Sequence, residues 1–535
     1  MLCIGREGGG APFTMPTLPK ALGSANDFYA YLGVGAGERK FLEKHAFHRY
    51  KRVIVPKRRG GTRVLMVPDR RLKFLQRKAH QLLNQLYRPR TPVHGFVKQK
   101  GAISNANEHQ RRPYLFNIDL RNFFGVISRR RVLGMLISMG LPDDAAEAVC
   151  SVCLTANQLP QGAPTSPILS NLVAYRLDRD LMKFAKTYRL KYTRYADDIS
   201  FSSYAPPLAL FNAGLPIPGR VKSDQLSVEL STVLATNGFE IAPDKVWFAG
   251  PKSRKEVTGL VVNEFTNLKR SFVRNVRAAL YKTEKLGLAA AQSAYQKKYT
   301  TNATLEQVLR GRLEWIAQVR GRSFDPYRTL AKRFNNLFPN SPLPILPTHE
   351  ETAERAVWVV EFFADEDNCA QGTAFFLAGV GLVTAHHVLE KLPPGAHADL
   401  YRPSGGGNKF KATPSKRSCP IRDLMILEHD VPTTDYLSLP VVTSPEQRDD
   451  KIVALGFPDY GPGDQLSRRG GQIYGRATKH GVKLLEVSAI LSDGISGGPV
   501  VNDQHQVIGI AKKGGIEERK QLAVEVSELL KLADE

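Results

Sequence analysis

The chain has 535 residues, of which 42% are hydrophobic and 24% are charged. This length exceeds one ordinary hydrophobic core and predicts two or three domains, and the composition excludes a disordered or fibrous protein. No run of about 18 uncharged apolar residues occurs, so neither a membrane-spanning helix nor a membrane partner is expected. The net charge is +24, but residues 1–350 carry +30 and residues 351–535 carry −6. The basic half favours a polyanionic partner, and the alternative is a merely soluble basic surface.

The first residues and the cysteines bear on the cellular compartment. Residues 1–25 lack the apolar core of a secretory signal and are expected to be a disordered leader, with Met15 as an alternative start. Cys150 and Cys153 form a lone CxxC without a second pair at zinc spacing, so both are interpreted as core residues. Only five cysteines occur, which fits a reduced interior and predicts a cytoplasmic location.

Apolar residues at helical spacing dominate the first half of the chain. They recur over residues 72–87, 166–188 and 304–321, and short β-rich runs at 114–120 and 190–203 interrupt them. This alternation predicts a mixed α/β domain.

Three carboxylates in this half are candidates for catalysis. Asp197 and Asp198 stand in YADD, between two runs that read as strands joined by a tight turn, and Asp119 ends the apolar run LFNI. Nucleotidyl transfer uses two divalent cations, and magnesium prefers carboxylate oxygens. The three aspartates are therefore predicted to bind two Mg²⁺ ions and to be catalytic. A solvated turn is the alternative for YADD alone.

Four motifs and their order along the chain resemble those of a known protein family. NIDLRNFF (117–124), LPQGAPTSPILSNL (159–172), YADD (195–198) and GFEIAPDKV (238–246) resemble the palm of reverse transcriptases in sequence and order. The resemblance covers about residues 30–335. It implies a right-hand polymerase with fingers, palm and thumb that uses dNTPs.

The same resemblance implies contacts with the incoming nucleotide. Lys57 and Arg63 would contact its triphosphate, for which arginine offers bidentate geometry. Phe124 would crowd a ribose 2′-hydroxyl, while core packing is the alternative for it and for Phe123. Three further assignments are Gln161 and Gly162 under the templating base and nucleotide, and Lys245 near the departing pyrophosphate.

Short strings narrow the resemblance to retron reverse transcriptases. NANEH (105–109), VTG (257–259) and the preceding HGF (94–96) match strings of that family. The family copies part of a structured non-coding RNA into branched RNA–DNA (msDNA), and RNA is generally recognised by shape and unpaired regions. The residues implied in RNA binding are Asn105, His109, Val257, Thr258 and Gly259. Local capping and packing is the alternative for them.

After the proline-rich run at 338–348 the chain changes character. Four prolines there predict a stiff linker, and the β-branched runs that follow, separated by turn residues, predict an all-β barrel or sandwich. GLVTAHHV (381–388) and GISGGPV (494–500) resemble the histidine and serine motifs of trypsin-like proteases.

The protease resemblance implies a catalytic triad. Ser496 would be the nucleophile, His387 the base, and Asp423 in DLMIL the acid, with Asp430 and Asp435 as fallbacks. The oxyanion hole would consist of the N–H groups of Gly494 and Ser496. An inactive barrel kept as a binding module is the alternative.

The resulting fold prediction is multidomain: an α/β right-hand polymerase followed by an all-β double-barrel trypsin-like domain. The predicted domains are a leader (1–25), fingers and palm (26–265), thumb (266–337), linker (338–350) and protease (351–535). The two resemblances imply a bacterial retron enzyme whose protease is the effector of antiphage defence, with an unidentified protein substrate. The alternatives are a defence reverse transcriptase outside the retrons, a silent docking barrel, and a protease that separates the two halves.

Overall fold

The structure of the protein is a computed structural model. It describes residues 18–56, 61–299, 302–363, 369–403, 407–512 and 520–535. These residues fall into two units, of which the first ends at Gly321 and the second begins at Arg322. None of the described helices combines the length and the apolar character that crossing a bilayer requires.

The first unit consists of helices around a small sheet. Its helices are α1 (Ala25–Leu32), α2 (Ala36–His45), α3 (Arg70–Leu86), α4 (Ala102–Asn107), α5 (Arg129–Ser138), α6 (Asp143–Cys153), α7 (Ser166–Val173), α8 (Tyr175–Thr187), α9 (Val228–Thr236), α10 (Arg270–Leu286), α11 (Leu288–Tyr299) and α12 (Leu305–Arg320). Its strands are β1 (Tyr50–Pro56), β2 (Thr62–Pro68), β3 (Tyr114–Asp119), β4 (Lys191–Tyr195), β5 (Asp198–Ser203), β6 (Gly219–Arg220), β7 (Trp247–Ala249), β8 (Glu256–Val257) and β9 (Leu260–Val261).

An antiparallel sheet with strand order β4-β5-β3-β7-β6 lies at the centre of this unit. Phe116 and Ile118 of β3 are buried in its core because alternate residues of a strand point to the same face. The register pairs Asp119 with Asp198, the first residue of β5. The sheet therefore gathers carboxylates at one end. Cys150 and Cys153 are buried free thiols in α6, as predicted, and burial raises the pKa of each to about 12.

The second unit is mainly β-structure. Its helices are α13 (Asp325–Leu337), α14 (His349–Ala356) and α15 (Val526–Asp534). Its strands are β10 (Val357–Phe363), β11 (Cys369–Leu377), β12 (Gly381–Thr384), β13 (Ala398–Tyr401), β14 (Lys409–Cys419), β15 (Leu424–His429), β16 (Lys451–Gly456), β17 (Ser467–Lys479), β18 (Val482–Val487), β19 (Pro499–Asn502), β20 (Val507–Ala511) and β21 (Gln521–Glu525).

These strands form two closed six-stranded barrels, ordered β10-β11-β12-β15-β14-β13 and β16-β17-β18-β21-β20-β19. Closure leaves neither barrel with a free sheet edge. Apolar side chains from both barrels share one buried cluster, which includes Phe375 of the first barrel and Leu455 of the second. The predicted all-β double barrel is confirmed.

The proline-rich segment is packed on α13. The Asn335 side chain donates to Leu343 O at 3.0 Å and accepts from Leu343 N at 2.7 Å, and the Tyr327 hydroxyl donates to Pro344 O at 2.7 Å. Both oxygens of Glu351 accept from the Arg328 guanidinium. The units consequently divide at Gly321, one helix before the predicted end of the thumb at residue 337.

Candidate active sites

A cavity of about 420 Å³ in the first unit contains most of the predicted polymerase residues. Its walls include Arg63, Asp119, Phe124, Gln161, Asp197 and Lys245. Phe123 and Phe124 both line the cavity, but Phe123 is 3% exposed and packs in the core, whereas Phe124 is half-buried. Gly162 has a φ of +122° and lies against the backbone of Met66, where a side chain would be crowded. Lys57 lies outside the described residues.

The three carboxylates repel one another. Desolvation in the cleft together with Asp197 and Asp119 raises the pKa of Asp198 to about 7, although this side chain still reaches solvent. Burial and Asp119 also raise the pKa of Asp197. Lys245 Nζ donates to Asp119 Oδ2 at 2.7 Å. Such a set of hard oxygen donors, crowded and partly neutralised by an ammonium group, fits divalent cations.

As they stand, no three His, Cys, Asp or Glu side chains among the described residues are grouped in metal-binding geometry. The ammonium group of Lys245 is paired with one oxygen of Asp119. Metal binding by the three aspartates therefore stays a prediction, which the donor chemistry fits.

A buried ion pair supports the YADD turn. Arg194 donates to both oxygens of Asp178 at 2.7 Å, and the two side chains are 0% and 1% exposed. The remaining Nη1 donates to Ala196 O at 3.0 Å. Ala196 has a φ of +57°, which is unfavourable for a residue other than glycine and has to be held by its surroundings. A Cβ at Gly95 would lie 2.3 Å from Ala196 N, so only glycine fits against the turn.

The VTG turn contacts α4, the helix in which the NANEH string begins. Thr258 Oγ1 donates to Ala102 O at 2.9 Å, which joins the VTG turn to α4. Asn105, His109 and Val257 are each 1% exposed. The side chains of these three residues are buried in the first unit, so they are not accessible for direct contact with RNA in this structure. RNA contact by Thr258 and Gly259, whose turn reaches the surface, stays a prediction.

His109 connects α4 to the palm sheet. Its Nδ1 and Nε2 make hydrogen bonds of 2.6 Å with Ser202 Oγ and 2.7 Å with Thr193 Oγ1. Burial, with a smaller contribution from Arg112, lowers the pKa of His109 to about 3. The sequence pattern singled out His109 as an RNA-binding residue, but it did not predict the hydrogen bonds that His109 makes to the sheet.

We expect His109 to make the first unit acid-sensitive. Because its pKa is lower in the folded chain, the stability from the neutral ring is complete above about pH 6.5 and is lost as pH falls toward 3. The slope is about 1.4 kcal/mol per pH unit for one proton. Urea unfolding between pH 7 and 4 should show a smaller slope in His109→Gln. The exposed His48→Gln is the control, and equal slopes in both variants would contradict the assignment.

The second unit brings the predicted histidine and acid together. Strands β12 and β15 pair, with Thr384 opposite Met425, so the loops at their ends lie side by side. His387 Nδ1 lies 2.9 Å from each Asp423 oxygen, and Asp423 Oδ1 also accepts from His387 N at 3.0 Å. The fallback acid Asp430 accepts from the backbone of the neighbouring strand β14 instead. Asp423 therefore fixes a tautomer with hydrogen on Nδ1, which leaves Nε2 as the basic nitrogen.

The predicted nucleophile lies in a glycine-rich loop before β19. Gly494 has a φ of +81°, and a Cβ there would lie 2.3 Å from Phe457 O. The N–H groups of Gly494 and Ser496 have no hydrogen-bond partner among the described residues, as an oxyanion hole requires. Ser496 is 6% exposed, and within the described chain its hydroxyl makes no hydrogen bond with His387. Such bonds are often long without substrate.

Comparisons with known proteins agree with the family resemblances of both halves of the chain. Residues 55–262 match the family model of reverse transcriptase (RNA-dependent DNA polymerase), and residues 372–510 match that of the trypsin-like peptidase domain. The "Retron Mx162 reverse transcriptase" of Myxococcus xanthus is 32% identical over 298 residues, which cover 49% of this chain and 59% of the relative. The "Retron Ec86 reverse transcriptase" of Escherichia coli is 31% identical, over 41% of this chain and 64% of the relative.

The chain spans about three fifths of the length of these curated relatives. Among solved structures, the active form of the Rv3671c protease from M. tuberculosis matches 36% of this chain and 91% of its own, at 20% identity and a TM-score of 0.30. The chain thus joins a reverse transcriptase domain of the retron type to a carboxyl-terminal trypsin-like peptidase domain.

Proposed function

We propose that the first unit is a retron polymerase that copies a dedicated structured non-coding RNA into branched RNA–DNA in the bacterial cytoplasm. The observation that carries the proposal is the cavity in which Asp119 and Asp197 meet Arg63, Phe124 and Lys245. The identity with retron enzymes supports the choice of RNA-directed synthesis. A defence reverse transcriptase outside the retrons is the competing candidate, and it would leave no branched product.

Each polymerase residue has a proposed task. Asp119, Asp197 and Asp198 would hold two Mg²⁺ ions, which supply stabilisation of the attacking and leaving oxygens. Arg63 on β2 would bind the triphosphate, together with Lys57. Phe124 would exclude a ribose 2′-hydroxyl from the cavity, and Gln161 with Gly162 would support the base pair. Lys245 lies on the same cavity wall, where it can bind the departing pyrophosphate.

The second unit is proposed to be a serine endopeptidase. Ser496 Oγ would attack the scissile carbonyl carbon while His387 Nε2 takes the hydroxyl proton and later gives it to the departing amine. Asp423 would orient the imidazole and stabilise its charged form. The N–H groups of Gly494 and Ser496 would donate to the oxyanion. The hydrogen bonds between His387 and Asp423 support an active site over a silent docking barrel.

We propose further that the peptidase is the effector of antiphage defence and that the RNA–DNA product restrains it. The fusion of a polymerase and a peptidase in one chain supports this pairing. The packing of the proline-rich segment on α13 disfavours the third alternative, in which the peptidase cuts between the two halves at that segment.

One set of strains tests the proposal. The full-length protein, expressed with the RNA encoded beside its gene, should carry branched DNA that is lost in Asp197→Asn/Asp198→Asn and kept in Ser496→Ala. After nuclease has removed the RNA–DNA, a fluorophosphonate probe should label the wild-type protein and not Ser496→Ala. Ser496→Ala should lose protection in phage plating, whereas the polymerase variant should slow the growth of uninfected cells because no RNA–DNA product restrains its peptidase. Unbranched DNA would favour the non-retron candidate, and undiminished protection by Ser496→Ala would refute the effector role.

A further inference from the structure

Thr373 is a fully buried residue of β11 that lies between the histidine loop and the serine loop. All of its polar groups are bonded. Its N–H donates to Ser496 O at 3.0 Å, and its hydroxyl donates to Gly494 O at 2.6 Å. The same hydroxyl accepts from Phe457 N at 3.1 Å, and its carbonyl accepts from the Thr384 hydroxyl at 2.8 Å.

These bonds fix the loop that carries the candidate oxyanion hole. Glycine at a φ of +81° rotates more freely than any other residue, so Gly494 needs an external restraint. Thr373 holds the carbonyls at both ends of the segment from Gly494 to Ser496. With both carbonyls held, the N–H groups of Gly494 and Ser496 have no partner among the residues that the structure describes, which leaves them available to a ligand there.

Thr373 itself has no room to move. A Cβ at Gly456 would lie 2.8 Å from its Oγ1, and one at Gly497 would lie 2.4 Å from its carbonyl oxygen. A Cβ at Gly498 would lie 3.1 Å from its Cγ2. Three glycines therefore pack closely around one threonine, which fixes where its hydroxyl points.

We propose that Thr373 is the positioning residue of the oxyanion hole. Its hydroxyl fixes the Gly494–Ile495 peptide, which lies between the two N–H groups, of Gly494 and Ser496, that would face the substrate carbonyl oxygen. Through Thr384, three residues before His387, it also ties this loop to the loop of the base. The inference rests on the proposed peptidase activity. A solely structural threonine is the competing interpretation.

The test compares Thr373→Val, which keeps the shape and removes the hydroxyl, with Thr373→Ser, which keeps the hydroxyl. The rate of Ser496 labelling by a fluorophosphonate is measured on the full-length protein. This reagent suits the test because its phosphoryl oxygen would occupy the oxyanion hole. We expect Thr373→Val to be slower by about 10- to 100-fold, less than the loss typical for removing an oxyanion donor itself. Thr373→Ser and the control Thr413→Val should stay within about threefold of wild type.

The pH dependence of the labelling rate distinguishes a positioning role of Thr373 from a structural role. In Thr373→Val the labelling rate should fall at every pH without a change in its midpoint, because His387 and Asp423 stay paired. A shifted midpoint, or an unchanged rate, would overturn the inference. Thr373→Ala serves as a second variant, and a rate that falls only in proportion to the folded fraction in circular dichroism would show a structural role. A wild-type protein that stays unlabelled after nuclease has removed its RNA–DNA would refute the peptidase activity, and this inference with it.

Discussion

Replacing Asp423 by asparagine is expected to lower turnover by the peptidase domain about 10⁴-fold, as for the acid of other serine-protease triads. The Asp423 carboxylate accepts from both the backbone and the Nδ1 of His387. An asparagine can keep the backbone bond through its carbonyl oxygen, but its amide group would donate to Nδ1. The imidazole would then carry hydrogen on Nε2, the wrong nitrogen for taking a proton from Ser496.

Labelling of Ser496 by a fluorophosphonate, measured over time, reports this loss without a known substrate. Asp430→Asn is the matched control because Asp430 accepts from Lys411 N and does not touch His387. Its rate should stay near that of the wild-type protein. A loss in Asp430→Asn equal to that in Asp423→Asn would contradict the assignment of the acid.

Replacing Arg194 by methionine is expected to destabilise the first unit by about 3–5 kcal/mol, because it leaves the Asp178 charge buried and unpaired. DNA synthesis should fall as well, since the Ala196 carbonyl loses its donor beside the aspartates that are predicted to be catalytic. The double change Asp178→Leu/Arg194→Met should recover part of the stability, because a buried pair can be exchanged for apolar contacts at lower cost.

Urea unfolding, followed by hydrogen exchange in peptides from β4 and β5, measures the loss where it arises. Arg176→Met is the matched control, since this arginine is 65% exposed and lies on the helix that carries Asp178. It should cost no more than about 0.5 kcal/mol. Equal losses in Arg176→Met and Arg194→Met would rule out the buried pair as the support of the turn.

The sequence predicted the parts of the fold that depend on pattern. β-Branched runs separated by turn residues predicted an all-β barrel or sandwich, and the apolar run before Asp119 predicted β3. The resemblance to trypsin-like proteases also favoured Asp423 over Asp430, because DLMIL matches the context of an acid directly before an apolar strand. Pairing of that strand with β12 then brings Asp423 to His387.

Other features depend on long-range contacts that no local pattern contains. Thr373 stands in an ordinary β-strand sequence, and its bonds reach Gly494 and Ser496 across more than a hundred residues. The motif NANEH predicted RNA binding, but both ring nitrogens of His109 make hydrogen bonds with hydroxyl groups of the sheet. Proline density predicted a linker at 338–350, but the side chains that hold this segment come from α13.

The boundary at Gly321 is a suitable position for joining either domain to a different partner domain. Gly321 has a φ of +86° and ends α12, whereas the next helix shares hydrogen bonds with the segment that follows it. A breakpoint among the prolines would separate Asn335 from Leu343, and Arg328 from Glu351. A recombination joint at Gly321 would leave both sets of partners intact. A domain exchange designed at this glycine therefore preserves the contacts between α13 and the proline-rich segment, which a joint among the prolines would break.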